Sequence, residues 1–309
     1  MDILILGALP HHLMAKESEA YLEKQAPFLT HLLQTHQAQT EWFDIETLGC
    51  TPYEYYQLKQ VAYHSQDGFY ARGLAPLRCP AHFNTALPKN LYLMTLCHIE
   101  VGLNHASLYL QEELNIPAHE STALFEQAKT LFENTPFSLL SYDADTALID
   151  LGNDFDYPLP SPALLATGYI NDWYRPQILP RTLQNSLNEL QMSWYDHPIN
   201  VARQSRGEKA INSAWIYGGA SKADIKTISP TTHDSITLDT LFFSHLHQDW
   251  GSWLAQLNNI DQQLKSLHSA QNRYIFFGFD RITTLTPLPW WHKFLTRKDQ
   301  WKQWWSLSK

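Results

Sequence analysis

The sequence predicts an α/β protein with a mixed, largely buried sheet flanked by helices. Short apolar runs alternate with longer segments of helical spacing, which is the pattern of sheets covered by helices. The runs at residues 2–6 and 273–278 are almost continuously apolar, as is typical of strands buried on both faces. The 309 residues are 44% hydrophobic, which is enough for a large core.

Five strands are expected where apolar runs end at glycine, proline or polar residues. They lie near residues 2–6, 91–97, 213–217, 241–243 and 273–278. A hairpin that joins residues 137–142 to 146–150 is expected as well.

Helices are expected where apolar residues recur every three or four positions. Residues 17–34 show this spacing, with Pro27 marking a break or a new helix start. In the helix predicted over 121–132, Ser121 is the expected N-cap. Further helices are expected at 52–63 and 250–267.

The clearest break in the chain is residues 152–162, which contain three prolines and one glycine. We predict a single domain over 1–309, or two closely packed lobes that meet at this break. Asp154 and Asp156 lie in it; a solvated turn is the favoured interpretation, and a metal-binding carboxylate pair is the alternative.

Charge and cysteine content restrict the class of protein. The formal net charge of −9 argues against direct binding of duplex DNA, because phosphate contacts need a basic face. Cys50, Cys79 and Cys97 are far apart and odd in number, so no disulfide framework is expected. No signal peptide or membrane-spanning stretch is recognised. A soluble cytoplasmic protein without membrane contact is expected.

The most informative stretch is residues 181–219. Leu183, Leu187, Leu190 and Trp194 have the spacing of a buried helix face, and directional polar groups lie between and after them. Amides and guanidinium groups offer fixed sets of donors and acceptors for a ligand or partner, and capping or loop packing is the alternative. The candidate binding residues are Glu189, His197, Asn200, Arg203, Asn212 and Trp215.

The segment NELQMSWYDHPINVARQSRGEKAINSAWIYGG, residues 188–219, resembles the RpfE-type regulatory proteins of bacteria. Residues 98–108 and 244–261 match that family more weakly. The family is described as similar to cofactor-independent phosphoglycerate mutases, so the resemblance implies a fold similar to alkaline phosphatase. It also implies, as a protein partner, a single-strand DNA exonuclease of DNA repair.

The mutases of that superfamily use two divalent metals and a serine or threonine nucleophile, and they have an acidic residue after the first strand. Here residues 6–10 read LGALP, without an acid, so no metal cofactor is expected. The alternative is a zinc or manganese site at His245, His247 and Asp249, since both imidazoles would face one way on an extended segment.

Two further groups have residue types suited to binding. His11 and His12 follow the first strand, and loops at the carboxyl ends of strands commonly line the ligand crevice of open α/β sheets. Exposed loop histidines are the favoured interpretation, and a binding role is the alternative. Trp301, Trp304 and Trp305 lie in a tail that also contains lysines. The favoured interpretation is an amphipathic helix that docks on the body of the protein, or a protein interface, and contact with nucleic acid or a membrane surface is the alternative.

Two functions remain open at this point. The first is a non-catalytic binding or regulatory protein on a phosphatase-like scaffold, with no catalytic residue assigned. The second is a metal-dependent phosphomutase or phosphohydrolase with a rearranged site.

Overall fold

The computed structural model describes residues 1–83, 86–102, 106–133, 135–168, 179–225, 235–269, 271–288 and 299–306. The chain divides into two compact units. Unit 1 comprises Met1–Ile45, Thr51–Tyr53 and Ser229–Lys309, and unit 2 comprises Glu46–Cys50 and Glu54–Ile228. The break at residues 152–162 lies inside unit 2. The expected number of domains stays a prediction.

Unit 1 contains a mixed sheet of β1 (Asp2–Leu9), β2 (His36–Trp42), β8 (Ser235–Leu238), β9 (Arg273–Gly278) and β10 (Arg281–Pro287). The strand order is β2-β10-β9-β1-β8, in which β1 is parallel to both β8 and β9. Strand β10 runs antiparallel to β9 and to β2. All eight residues of β1 are buried, as its continuous apolar run predicts.

The helices of unit 1 are α1 (His12–Gln25), α2 (Pro27–Thr35), α11 (Phe242–Leu246), α12 (Trp250–Ala255), α13 (Leu257–Leu267) and α14 (Trp301–Trp305). Pro27 begins α2, because its fixed φ suits a first helical position and it needs no N–H partner there. Helices α1, α2 and α13 pack leucine and isoleucine side chains against Ile3, Ile5 and Phe276 of the sheet.

Unit 2 contains an antiparallel sheet of β3 (Leu91–Val101), β4 (Ala106–Tyr109), β5 (Ser138–Tyr142), β6 (Ala147–Asp150) and β7 (Ser213–Ala220). The order is β4-β3-β6-β5, and β7 also pairs with β3. Strands β5 and β6 form the expected hairpin.

The helices that pack on the core of unit 2 include α7 (Ala118–Phe132) and α9 (Arg181–Tyr195), and the next helix along the chain is α10 (Pro198–Ser205). The other α-helices within the described ranges have nine residues or fewer: α3 (Ile45–Leu48), α4 (Pro52–Gln60), α5 (Leu74–Arg78), α6 (Gln111–Leu114) and α8 (Pro162–Ala166). Helix α9 buries Leu183, Leu187, Leu190 and Trp194, the stripe that its sequence predicts.

The predicted fold class is confirmed, and so are the strands near 2–6, 91–97, 213–217 and 273–278. The strand expected at 241–243 is wrong. The chain leaves β8 at Leu238, and the N–H of Phe242 donates to the Asp239 carbonyl 2.8 Å away as α11 begins. Three apolar residues are too few to tell a strand from a helical turn.

The predicted N-cap Ser121 is also wrong, because α7 begins three residues earlier, at Ala118. The Ser121 hydroxyl instead donates to the Ala118 carbonyl at 3.1 Å. Among the described residues, no helix is long and apolar enough to cross a membrane.

Candidate functional site

Helix α9 has one buried face and one exposed face. The exposed residues between its second and last turns form what we call the α9 outer face: Asn185, Asn188, Glu189, Met192 and Tyr195. Met192 is 78% exposed and Tyr195 is 75% exposed. Because residues three and four apart share a helix face, Met192 lies beside Asn188 and Glu189, and Tyr195 lies beside Met192. Two large apolar groups therefore stand in solvent among polar ones.

The buried side chain of Asn200 forms hydrogen bonds with the main chain on both sides of α10. Its Nδ2 donates to the carbonyls of Trp194 and Ile211, each at 2.8 Å, and its Oδ1 accepts from the Ile211 N–H at 2.7 Å. The side chain is 1% exposed, so these bonds satisfy an amide that would otherwise be costly to bury. Asn200 thus ties the end of α9 to the start of β7.

Arg203 is a buried cation with three close hydrogen-bond acceptors and a longer ion pair to Glu208, at 3.5 Å. Its Nη1 lies 2.8 Å from Glu120 Oε2, its Nη2 donates to the Leu114 carbonyl at 2.7 Å, and its Nε donates to the Lys209 carbonyl at 2.8 Å. The other oxygen of Glu120 accepts from Arg206 Nη2 at 2.7 Å. This network fixes α10 against the start of α7 and the loop before β7.

The other predicted binding residues of this segment, apart from Glu189, each contact a different part of unit 2. His197 is the N-cap of α10, and partial burial lowers its pKa. Asn212 exchanges two hydrogen bonds with the main chain of Ile99, at 2.7 and 2.8 Å. The buried Trp215 donates its indole N–H to the Pro160 carbonyl at 2.9 Å.

Asn200 and Arg203 thus hold main-chain groups of one loop, residues 209–212, while Asn212, in that loop, holds the main chain of Ile99 in β3. Glu189 lies apart from them on the α9 outer face. The capping and loop-packing alternative describes these contacts.

The exposed apolar residues are the feature that the sequence analysis missed. The signal was present: Met192 and Tyr195 fall outside the stripe of Leu183, Leu187, Leu190 and Trp194. On α10 the pattern is reversed, since Asn200 and Arg203 are buried while Val201 is 56% exposed. A helix braced by polar residues and exposing apolar ones is typical of an interface.

The alternative metal site does not fit the residues that would form it. His245 lies in α11, His247 follows its last residue, and Asp249 caps α12 by accepting from the Ser252 N–H at 3.0 Å. The ring of His245 is buried, with Nε2 2.9 Å from the Leu9 carbonyl. Side chains two residues apart diverge on a helix, unlike on a strand. The described ranges contain no group of three His, Cys, Asp or Glu residues suited to a metal ion.

The buried His245 makes stability depend on pH. Burial and the charge of Arg281 lower its pKa to about 4, against the effect of its bond to Leu9. An unfolded chain, with a histidine pKa of about 6.5, binds the proton first, so stability falls as pH drops from about 6.5 to about 4. The loss is on the order of 3 kcal/mol.

We expect His245→Gln to flatten the pH dependence of unit 1 stability in that window. Urea denaturation of the full-length protein between those pH values, followed by unit 1 tryptophan fluorescence, measures the change. His31→Gln, at an exposed histidine of α2 in unit 1, is the matched control and should keep the wild-type slope. An unchanged slope in His245→Gln would assign the pH dependence to other groups.

The C-terminal tryptophans belong mainly to the core of unit 1. Trp301 is 2% exposed and Trp305 is fully buried. Trp305 donates its indole N–H to the Ala15 carbonyl at 3.0 Å. Trp304 is half-buried and packs against the same cluster. Trp301 and Trp305 therefore cannot serve as exposed interface anchors, because their rings are already enclosed; residues 289–298 of the predicted tail lie outside the described residues.

Comparison with known proteins gives structural similarity alone. No protein-family model and no curated protein matches the chain. A cofactor-independent phosphoglycerate mutase from Thermoplasma acidophilum DSM 1728 is 12% identical, with a TM-score of 0.33 over 92% of this chain and 88% of that one. The PH0037 protein from Pyrococcus horikoshii is 11% identical, with a TM-score of 0.37 over 92% and 86%. The resemblance to the RpfE-type family stays a prediction.

Proposed function

We propose that this protein is a non-catalytic regulatory protein that binds a protein partner on the α9 outer face. The observation that carries the proposal is the exposure of Met192 and Tyr195, 78% and 75%, on a helix whose opposite face is packed in the core. Tyrosine is enriched among the residues that dominate binding energy. Leaving two such side chains in water is unfavourable unless a partner covers them.

The hydrogen bonds that hold α9 and α10 in place support the proposal. Asn200 ties the end of α9 to the start of β7, and Arg203 ties α10 to Glu120. A surface held in one conformation loses little conformational entropy when a partner binds. The polar residues of the central segment then act by holding the binding surface in place.

The chemistry of the surface indicates the chemistry of the partner. The α9 outer face contains Glu189 and uncharged polar residues, exposed Asp196 follows it, and exposed Arg181 lies at the other end of the helix. A complementary partner presents an apolar centre with basic groups at the rim. Nucleic acid is disfavoured, because acidic groups repel phosphates. The single-strand DNA exonuclease implied by the sequence resemblance is the first partner to test.

We expect the double variant Met192→Ser/Tyr195→Ser to bind the purified exonuclease at least about tenfold more weakly. Isothermal titration calorimetry measures the affinity, and circular dichroism confirms that the variant stays folded. Val101→Ser is the matched control in the same unit, because Val101 is 80% exposed and lies on β3. Equal affinity of all three proteins would exclude this surface, and no binding by the wild type would exclude this partner.

A different experiment distinguishes the regulatory protein from the alternative, a metal-dependent phosphomutase or phosphohydrolase. The side chains of His245 and Asp249 already form hydrogen bonds with main-chain groups, so they are poorly placed as metal ligands. This favours a binding function over a catalytic one. Metal analysis of the purified protein and assays with phosphate esters in zinc or manganese test this. Tightly held stoichiometric metal, with turnover that His245→Ala abolishes, would establish the alternative.

A further inference from the structure

Strand β2 (His36–Trp42) is an edge strand of the sheet in unit 1. It pairs with β10 over all seven of its residues, in one unbroken register. Within the ranges that the structure describes, no strand pairs with the other side of β2. The edge of a sheet presents a row of main-chain N–H and C=O groups, which can pair with a strand of another chain.

The hydrogen bonds at the two ends of β2 show which of its main-chain groups face outward. The N–H of Phe43 donates to the Asp280 carbonyl at 2.8 Å, and the N–H of Leu288 donates to the Thr35 carbonyl at 3.2 Å. Bonded and non-bonded pairs alternate along an antiparallel ladder, so the odd-numbered residues of β2 bond to β10 and the even-numbered residues face away from it. We call the outward main-chain groups of Ala38, Thr40 and Trp42 the open edge of β2.

The position of Pro287 supports this assignment. Pro287 pairs with His36 and has no N–H, so it suits a pair that exchanges no hydrogen bonds. Edge strands are usually blocked by a proline, a lysine, a bulge or a covering element. The sequence of β2, HQAQTEW, contains no proline or lysine, and its register with β10 has no shift. The open edge of β2 therefore has the form of an edge that accepts another strand.

A second copy of β2 fits this edge. When two β2 strands run antiparallel around Gln39, Ala38 of each copy lies opposite Thr40 of the other, so outward donors meet outward acceptors. On the exposed face of the strand, Gln39 then lies opposite Gln39, and Gln37 lies opposite Glu41. An amide can form hydrogen bonds with a second amide or with a carboxylate, and no two like charges are opposed in this register.

The side chains on the other face of β2 are held within unit 1. The hydroxyls of Thr40 and Thr283 lie 2.9 Å apart, and Ala38 packs against the hydrophobic core. A strand that is already fixed in an extended conformation loses little conformational entropy when another strand pairs with it. These contacts therefore favour pairing at the open edge.

We propose that the protein forms a two-fold symmetric dimer in which the β2 strands of two copies pair antiparallel around Gln39. Two five-stranded sheets then join into one continuous sheet. Main-chain hydrogen bonds at Ala38 and Thr40 supply the affinity, and the exposed side chains fix the register. Two-fold dimers are the commonest protein oligomers, and the same surface of both copies forms their interface. The open edge lies in unit 1 and the α9 outer face lies in unit 2, so this dimer does not depend on the partner proposed above.

Sedimentation velocity of the full-length protein over a wide range of concentrations measures the dimer. We expect Ala38→Pro to weaken it at least about tenfold, because proline removes one outward N–H from each copy and no hydrogen bond to β10. Circular dichroism and urea denaturation show whether the variant keeps its fold.

Substitutions at Gln39 test the two-fold axis without changing the main chain. Gln39→Lys and Gln39→Glu each place two like charges opposite one another and should weaken the dimer at least about threefold. An equimolar mixture of the two variants should associate more tightly than either alone, since a mixed dimer opposes unlike charges. Gln262→Lys, at an exposed glutamine of α13 in unit 1, is the matched control and should dimerise as the wild type does.

A wild-type protein that stays monomeric at every concentration would overturn the proposal and leave a strand of another protein as the occupant of the open edge. The proposal is also overturned if Ala38→Pro dimerises like the wild type, or if the Gln39 mixture associates no more tightly than the separate variants. If Ala38→Pro does not fold, the Gln39 variants decide the question alone.

Discussion

Replacing Arg203 by alanine should lower the free energy of unfolding of unit 2 by about 3–5 kcal/mol. The guanidinium is 1% exposed, and Glu120, its ionic partner, is 3% exposed. Removing the cation leaves a buried carboxylate whose other cation among the described residues, Arg206, is 44% exposed. It also leaves the carbonyls of Leu114 and Lys209 without their donor.

Hydrogen exchange of peptides covering residues 198–213 measures this loss locally, which suits a chain with two units that need not unfold together. Arg206→Ala is the matched control, because it removes an exposed arm of the same network and should have a much smaller effect. The double variant Arg203→Met/Glu120→Met should recover part of the stability, since no charge remains to be buried. A loss below about 1 kcal/mol for Arg203→Ala would contradict the assignment.

Replacing Trp305 by alanine should lower the stability of unit 1 by about 3–5 kcal/mol. The ring is fully buried, packs edge-on against Trp301 at 6.1 Å, and donates to the Ala15 carbonyl. The substitution leaves a cavity between α1 and α14 and removes one of the donors to the Ala15 carbonyl, which keeps its bond from the Ser18 hydroxyl. Thermal and urea denaturation measure the loss.

Trp304→Ala is the control for Trp305, because Trp304 lies in the same helix and is only half-buried. It should cost less than half as much stability as Trp305→Ala. Neither variant should change partner affinity at temperatures where unit 1 is folded. If Trp305→Ala weakened partner binding without loss of stability, the C-terminal tryptophans would be interface residues after all.

The sequence predicts most of the fold because buried strands and buried helix faces each give a recognisable spacing of apolar residues. The continuous apolar run of β1 and the stripe Leu183, Leu187, Leu190 and Trp194 of α9 each correspond to a buried face. The segment 241–243 could not be assigned in this way, since its three apolar residues fit a helical turn equally well. In the structure, the hydrogen bond from the Phe242 N–H to the Asp239 carbonyl shows that this segment is a helical turn.

The site was harder to predict, because the polar residues that bind a ligand and those that hold a loop are of the same types. Arg203 pairs with Glu120, which is 83 positions away in the chain, and no local sequence pattern predicts that pairing. Asn200 and Asn212 likewise satisfy main-chain groups of other elements. The exposure of Met192 and Tyr195, in contrast, could have been predicted, since both fall outside the apolar stripe of α9.

The most direct test of binding through the α9 outer face is site-specific photo-crosslinking. A benzophenone amino acid placed at position 192 should crosslink to the purified exonuclease, and mass spectrometry should locate the crosslink on one apolar surface of that partner with basic groups around it. The same probe at position 13, where Leu13 is 63% exposed on α1, should give none. Equal crosslinking from both positions, or crosslinks from position 13 alone, would contradict the account.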